Sequence, residues 1–149
     1  MAIVEAREND RGIRTAAEAP GVLVMFDGEC NLCSGFVDFC LRRDPLGKIR
    51  FLSRQSAAGQ ALLRRHDLPS DLESMVVVEG DRVFIRSDAA LRAFRHLRMP
   101  WPLLSWLSIV PRWLRNPAYR IVARSRYRLF GHRRTCRVPT EAERSRFVE

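Results

Sequence analysis

The chain has 149 residues, 46% of them hydrophobic and 29% charged, with a formal charge of +9. That length supports one domain with a sizeable core and leaves little room for a second, and the composition is that of an ordinary soluble globular protein. No stretch reaches the ~18 apolar residues of a membrane span, and the first twenty residues lack the apolar core of a secretory signal.

Those first residues, 1–20, are polar and mixed in charge (Glu5, Arg7, Glu8, Asp10, Arg11, Arg14, Glu18) and read as a disordered leader. Val22 to Phe26 is an apolar run ending in Asp27-Gly28, the pattern of a buried strand and a tight turn. From Cys30 the pattern turns helical, with Cys33, Phe36, Val37 and Cys40 on one stripe, until Asp44-Pro45-Leu46-Gly47 stops it. Ile49 to Leu52 predicts a second strand. Ala57 to His66 predicts a second helix, capped by Ser53 or Ser56. Met75 to Val78 and Val83 to Ile85 flank Glu79-Gly80-Asp81 and read as a hairpin. Ser87 or Asp88 is expected to cap a third helix running to Leu97.

The order strand, helix, strand, helix, strand, strand, helix predicts parallel pairs plus an antiparallel edge. This is the thioredoxin-like α/β layout (βαβαββα), assigned to residues 21–99. Residues 100–149 are expected to form an α-helical extension packed on that core. Trp101 to Trp113 holds all three tryptophans, and Asn116 to Phe130 is helical and arginine-rich.

The absence of a targeting or spanning segment points to the cytoplasm. There, four cysteines suit catalysis or metal binding better than structural disulfides. Cys30-Asn31-Leu32-Cys33 lies after a strand and at a helix start. Free N–H groups and the helix dipole stabilise a thiolate at such a position, and a thiolate is the species that attacks a disulfide. Cys30 is expected to be the exposed nucleophile and Cys33 the resolving thiol, one turn inward. The same spacing also serves as half of a zinc site. His132 and Cys136 would complete a set of three sulfurs and one imidazole with Cys30 and Cys33.

Asp27 stands three residues before Cys30. It could cap the helix, accept a proton from a nearby thiol, or simply form the Asp-Gly turn. With Glu29 it also places acidic charge near the motif, against the effect of the helix terminus. Cys40 reads as a small buried apolar residue. Cys136 is open between a third redox thiol, a ligand and an inert tail residue.

Asp27-Gly28-Glu29-Cys30-Asn31-Leu32-Cys33 resembles the Asp-x-x-Cys-x-x-Cys signature of the DCC family of predicted thiol-disulfide oxidoreductases. Further blocks are similar: Arg42-Arg43-Asp44, Phe51 to Ser56, Ser87-Asp88-Ala89-Ala90, Pro111-Arg112 and Tyr119-Arg120. So are Arg126-Tyr127-Arg128-Leu129-Phe130-Gly131, Cys136 and Arg146-Phe147. The resemblance covers roughly Val22 to Val148. It implies a thioredoxin-like fold and protein-disulfide reductase-type activity, with Cys30 and Cys33 as the redox pair and Asp27 in the same unit. No cofactor is expected. The partners implied are a disulfide- or thiol-bearing protein or small molecule and an external thiol electron donor. Ordinary thioredoxins differ in having Trp before the first Cys, Gly-Pro between the two, and a cis-proline where Glu73-Ser74-Met75 stands here.

Nearly all the positive charge is arginine, Lys48 being the only lysine. Such charge suits a polyanion or simply covers solvated helix faces. No recognised nucleic-acid-binding motif accompanies it. The aromatic segment from Trp101 to Phe130, flanked by Arg112, Arg115, Arg120, Arg124, Arg126 and Arg128, could lie on an anionic membrane surface. We expect instead that its tryptophans and leucines cover one face of the core, since large aromatics ordinarily supply buried area.

Overall fold

A computed structural model describes residues 21–72, 74–131 and 138–148; the leader expected over 1–20 lies outside them. The elements in chain order are β1 (Val22–Phe26), α1 (Asn31–Arg43), β2 (Ile49–Ser53), α2 (Ala57–Arg65), β3 (Val76–Glu79), β4 (Arg82–Ile85) and α3 (Arg86–Phe94). A 3₁₀ segment (Trp101–Ile109), α4 (Arg112–Phe130), a 3₁₀ turn (Arg144–Arg146) and β5 (Phe147–Val148) follow. The sheet order is β4-β3-β1-β2-β5. β1 pairs parallel with β2 and antiparallel with β3, and β3 and β4 form the expected hairpin.

β1 is central and buried along its whole length, which is why it reads as an unbroken apolar run. Alternate residues face opposite sides of the sheet. Val22, Val24 and Phe26 meet Val37 and Cys40 of α1 and Ala89 and Ala93 of α3. Leu23 and Met25 meet Leu62 and Leu63 of α2. Helices on both faces of a five-stranded mixed sheet make the thioredoxin-like three-layer fold, extended by the C-terminal helix α4. Cys40 is fully buried within the first layer, and burial pushes its thiol up to about 12.

Several local expectations change. Ser56 does cap α2, its Oγ accepting the Gly59 N–H at 3.0 Å. α3, however, starts at Arg86 with no side-chain cap. Ser87 and Asp88 are used across the fold instead. Ser87 Oγ donates to Asn116 Oδ1 at 2.7 Å, and Asp88 pairs with Arg112 and Arg115, both at 2.9 Å. These contacts fasten the start of α4, which begins at Arg112 and contains Pro117.

β5 is a further difference: the tail returns to the sheet as a strand parallel to β2. Two residues are too few for a periodic signal. What holds them is tertiary. Phe147 packs on Phe26 and Phe51, with ring centroids 6.1 and 5.5 Å apart. Arg146 pairs with the buried carboxylate of Asp44, which also accepts the Lys48 and Ile49 N–H groups.

The expectation for the tryptophans holds only for Trp101, which packs edge-on against Phe39 at 4.6 Å. Trp106 and Trp113 are 71% and 75% exposed. The two phenylalanines of α1 and Phe94 of α3 already fill the layer that Trp101 completes.

Candidate functional site

The motif begins where β1 ends. The Cys30 N–H donates to the Asp27 carbonyl at 3.2 Å and closes the turn. Cys30 is extended (φ −94°, ψ 123°) and is itself the N-cap of α1, its Sγ accepting the Cys33 N–H at 3.5 Å. Asp27 therefore does not cap the helix. Local preference favours Asp as a cap, but here the sulfur at the capping position takes the donor. Cys30, Cys33 and Cys40 are free thiols.

Exposure of the pair is opposite to the expectation. Cys30 is fully buried, and Cys33 is the partly accessible sulfur. α4 is laid across the start of α1, where Asn31 Nδ2 donates to the Phe130 carbonyl at 2.8 Å. Gly131 (φ 83°) then leaves the helix so close to Asn31 that a Cβ there would lie 3.0 Å from its Nδ2. On the other side of the motif, Arg126 Nη1 of α4 is 3.8 Å from Cys33 Sγ. Burial pushes the Cys33 thiol up to about 12; the charge and hydrogen bond of Cys30 add to this, and Arg126 opposes it.

Asp27 is the hub on which these elements converge. Its Oδ1 accepts the Glu29 N–H at 3.0 Å and Gln55 Nε2 at 2.6 Å. Its Oδ2 faces Arg54 and Arg126, each at 3.3 Å, and accepts the Tyr127 hydroxyl. Burial opposes the carboxylate charge. Hydrogen bonds from Tyr127, Gln55 and the Glu29 N–H, with the Arg54 charge, outweigh burial and hold Asp27 below its ordinary value. Arg126 is likewise desolvated, yet Cys33, Tyr127 and Asp27 hold it charged and raise it. Burial and the bond to Asp27 push Tyr127 up to about 12. A carboxylate so supplied with donors is a weak proton acceptor.

Because Asp27 is lowered on folding, its contribution to stability is complete above its unfolded value, about 3.9, and is lost as pH falls through the folded value. Urea midpoints of the wild type are expected to hold down to about pH 5 and then fall. In Asp27→Asn the midpoint should be lower at neutral pH and its acid decline shallower, as urea titrations at several pH values would show.

Beneath α4, Cys33 and Arg126 line a cavity of about 230 Å³ whose other walls include Phe36, Met75, Phe94 and Tyr119. Tyr119 Oη accepts the Met75 N–H at 3.1 Å. Of the alternative metal set, Cys30 and Cys33 lie side by side, while His132 and Cys136 fall outside the described residues. Among the described residues there is no group of three or more His, Cys, Asp or Glu suited to a metal. Nor is any described helix long and apolar enough to cross a membrane.

Arg54, Gln55, Arg126 and Tyr127 are the site residues that sequence reasoning missed. Arg126 and Tyr127 lie 99 and 100 residues from Asp27 along the chain. The available signals were the blocks Phe51 to Ser56 and Arg126 to Gly131, similar to family blocks but not connected to the motif.

The family model for DCC1-like thiol-disulfide oxidoreductases matches residues 24–132. The chain is 42% identical over 135 residues to the uncharacterized protein YuxK of Bacillus subtilis (strain 168), covering 90% of this chain and 98% of that one. It is 40% identical over 116 residues to the chloroplastic DCC family protein At1g52590 of Arabidopsis thaliana, covering 76% and 67%. No solved structure matches it. With a Cys-x-x-Cys pair at a helix start and matches spanning most of its length, the chain belongs to the DCC1-like thiol-disulfide oxidoreductase family.

Proposed function

We propose that Cys30 and Cys33 cycle between dithiol and disulfide and thereby reduce a disulfide substrate, with an external thiol restoring the dithiol. The carrying observation is the Cys33 N–H donated to Cys30 Sγ, which puts both sulfurs at one helix N-terminus. Negative charge on sulfur is stabilised there. The sequence expectation has Cys30 attack. Its burial and the partial exposure of Cys33 favour exchange at Cys33 instead. Cys33 gives its proton up to solvent, its Sγ bonds to one substrate sulfur, the substrate S–S bond breaks and the first thiolate leaves. Cys30 then gives its own proton up to solvent and attacks Cys33 Sγ, and the second substrate thiolate leaves. Both thiolates take protons from solvent. Two electrons move from the dithiol to the substrate. Asp27 is a positioning residue in this reading, holding Arg126 beside Cys33. A reducing compartment such as the cytoplasm suits the cycle. Turnover of a disulfide with a dithiol donor tests it. Wild type should be active, and the double variant Cys30→Ser, Cys33→Ser should fall to the uncatalysed rate; equal rates would refute the proposal.

A second reading rests on a separate observation. Trp106, Leu107, Ile109 and Trp113 are exposed within one short stretch, beside the exposed Arg112. Tryptophan settles at the headgroup level of bilayers, and anionic lipid attracts basic residues by about 1 kcal/mol each. We propose that this stretch attaches the protein to an anionic membrane surface. Vesicles containing phosphatidylserine should float the protein in a salt-sensitive way, and Trp106→Ala, Trp113→Ala should abolish this. Failure of the wild type to float would end the reading.

A further inference from the structure

The Cys33 cavity has features that specify a class of substrate. Its walls are mainly apolar: Phe26, Leu32, Phe36, Met75, Phe94 and Val122 contribute to them. At about 230 Å³ it is below the ~300–1,000 Å³ of drug-sized sites, so it suits a small molecule.

Among the described residues beside it, the Met75 backbone offers an extended polypeptide nothing to pair with. A substrate chain adding to a sheet edge needs unpaired backbone groups. At the start of β3 the Met75 N–H is taken by Tyr119 Oη, and the Met75 carbonyl accepts the Arg86 N–H at 3.3 Å. Ser74 Oγ donates to the same carbonyl at 3.1 Å. The helix α4, which carries Tyr119 and Arg126, occupies the space above this backbone.

The polar part of the cavity is short of acceptors. Asp27 is one carboxylate between two guanidinium groups, Arg54 and Arg126. Arg126 is only 4% exposed, and its buried Nε–H has no acceptor among the described residues. A buried donor left unpaired is costly, and native structures satisfy nearly all of them. Arg126 is the cation that lines the cavity, and a charged guanidinium with an unpaired donor asks for an anionic acceptor.

We infer that this cavity is the substrate subsite and takes a small apolar thiol or disulfide that carries a carboxylate. The apolar body lies against Phe36 and Phe94, the carboxylate meets Arg126, and the sulfur stands at Cys33. This rests on the proposed dithiol cycle and uses its chemistry unchanged. One substrate disulfide and two cysteine thiols give two substrate thiols and the Cys30–Cys33 disulfide.

The test separates binding from redox turnover by using a probe without sulfur. Reduced full-length protein is treated with iodoacetamide in the presence of 3-phenylpropanoate or its uncharged amide. Alkylation of Cys33 is followed by peptide mass spectrometry. The carboxylate should protect Cys33 and bind roughly tenfold or more tightly than the amide, the scale of a hydrogen bond to a charged group. Ala123→Trp, which fills the cavity, should remove protection; if that variant does not fold, Ala90→Leu on another wall serves the same purpose. Equal binding of acid and amide, no protection by either, or protection that survives a folded cavity-filling variant would overturn the inference. Loss of protection in a protein that still cycles its dithiol would overturn this subsite alone. Protection in a protein that never forms the disulfide would instead overturn the proposed cycle.

Discussion

Asp27→Ala is expected to cost the folded protein about 3–5 kcal/mol, the scale for removing one partner of a buried ion pair. Asp27 and Arg126 are 5% and 4% exposed. Without the carboxylate, Arg126 keeps a desolvated charge against an apolar cavity, and Tyr127 and Gln55 lose a shared acceptor. Because these donors come from α4 and from the turn after β2, the loss should also loosen α4 from the start of α1. Urea unfolding measures the first effect. The second should appear as faster alkylation of Cys33 under native conditions. Adding Arg126→Met to Asp27→Ala should recover part of the loss, since a buried charge without a partner is worse than an apolar residue of similar size. A cost below about 1 kcal/mol for Asp27→Ala would mean that the pair is open to water.

The second large effect concerns which sulfur meets substrate. Cys30→Ser is expected to keep Cys33 and to accumulate a mixed disulfide on it, because the thiol that would release the product is gone. Its reaction should be slow at neutral pH and accelerate as pH rises, because burial still holds the Cys33 thiol above its ordinary value once the contribution of Cys30 is gone. Of the pair, Cys33→Ser leaves only the buried Cys30, which should form little mixed disulfide. Both variants should lose steady-state turnover while remaining folded. Intact-mass measurement after exposure to a small disulfide distinguishes them. A stable adduct on Cys30 in Cys33→Ser, with none on Cys33 in Cys30→Ser, would return the attack to Cys30.

The local parts of this site were legible in the sequence. Val22 to Phe26 reads as a buried strand, the Cys33, Phe36, Val37, Cys40 stripe as a helix, and Glu79-Gly80-Asp81 as a hairpin turn with Gly80 at φ 59°. Each follows from periodicity or turn chemistry within a few residues. The thioredoxin-like order follows from them. What escaped was set by tertiary placement. Asp27 reads locally as a cap or a turn residue, but its strongest partners arrive from Arg54 and Gln55 after β2 and from α4 at the far end of the chain. Cys30 reads as the exposed thiol because the two-residue spacing puts Cys33 one turn inward; the end of α4, tied to Asn31, lies over that part of the fold. Trp106 and Trp113 carry the same local signal as Trp101, and only packing separates the half-buried ring from the exposed ones.

The most direct measurement is an equilibrium redox titration of the purified chain in a graded thiol–disulfide buffer. Trapped thiols are mapped by mass spectrometry at each potential. One two-electron transition is expected, about 30 mV per tenfold change in ratio, in which Cys30 and Cys33 join in a single intramolecular disulfide while Cys40 stays a thiol. Cys30 and Cys33 remaining thiols across the whole series, or pairing with other partners instead of each other, would contradict it.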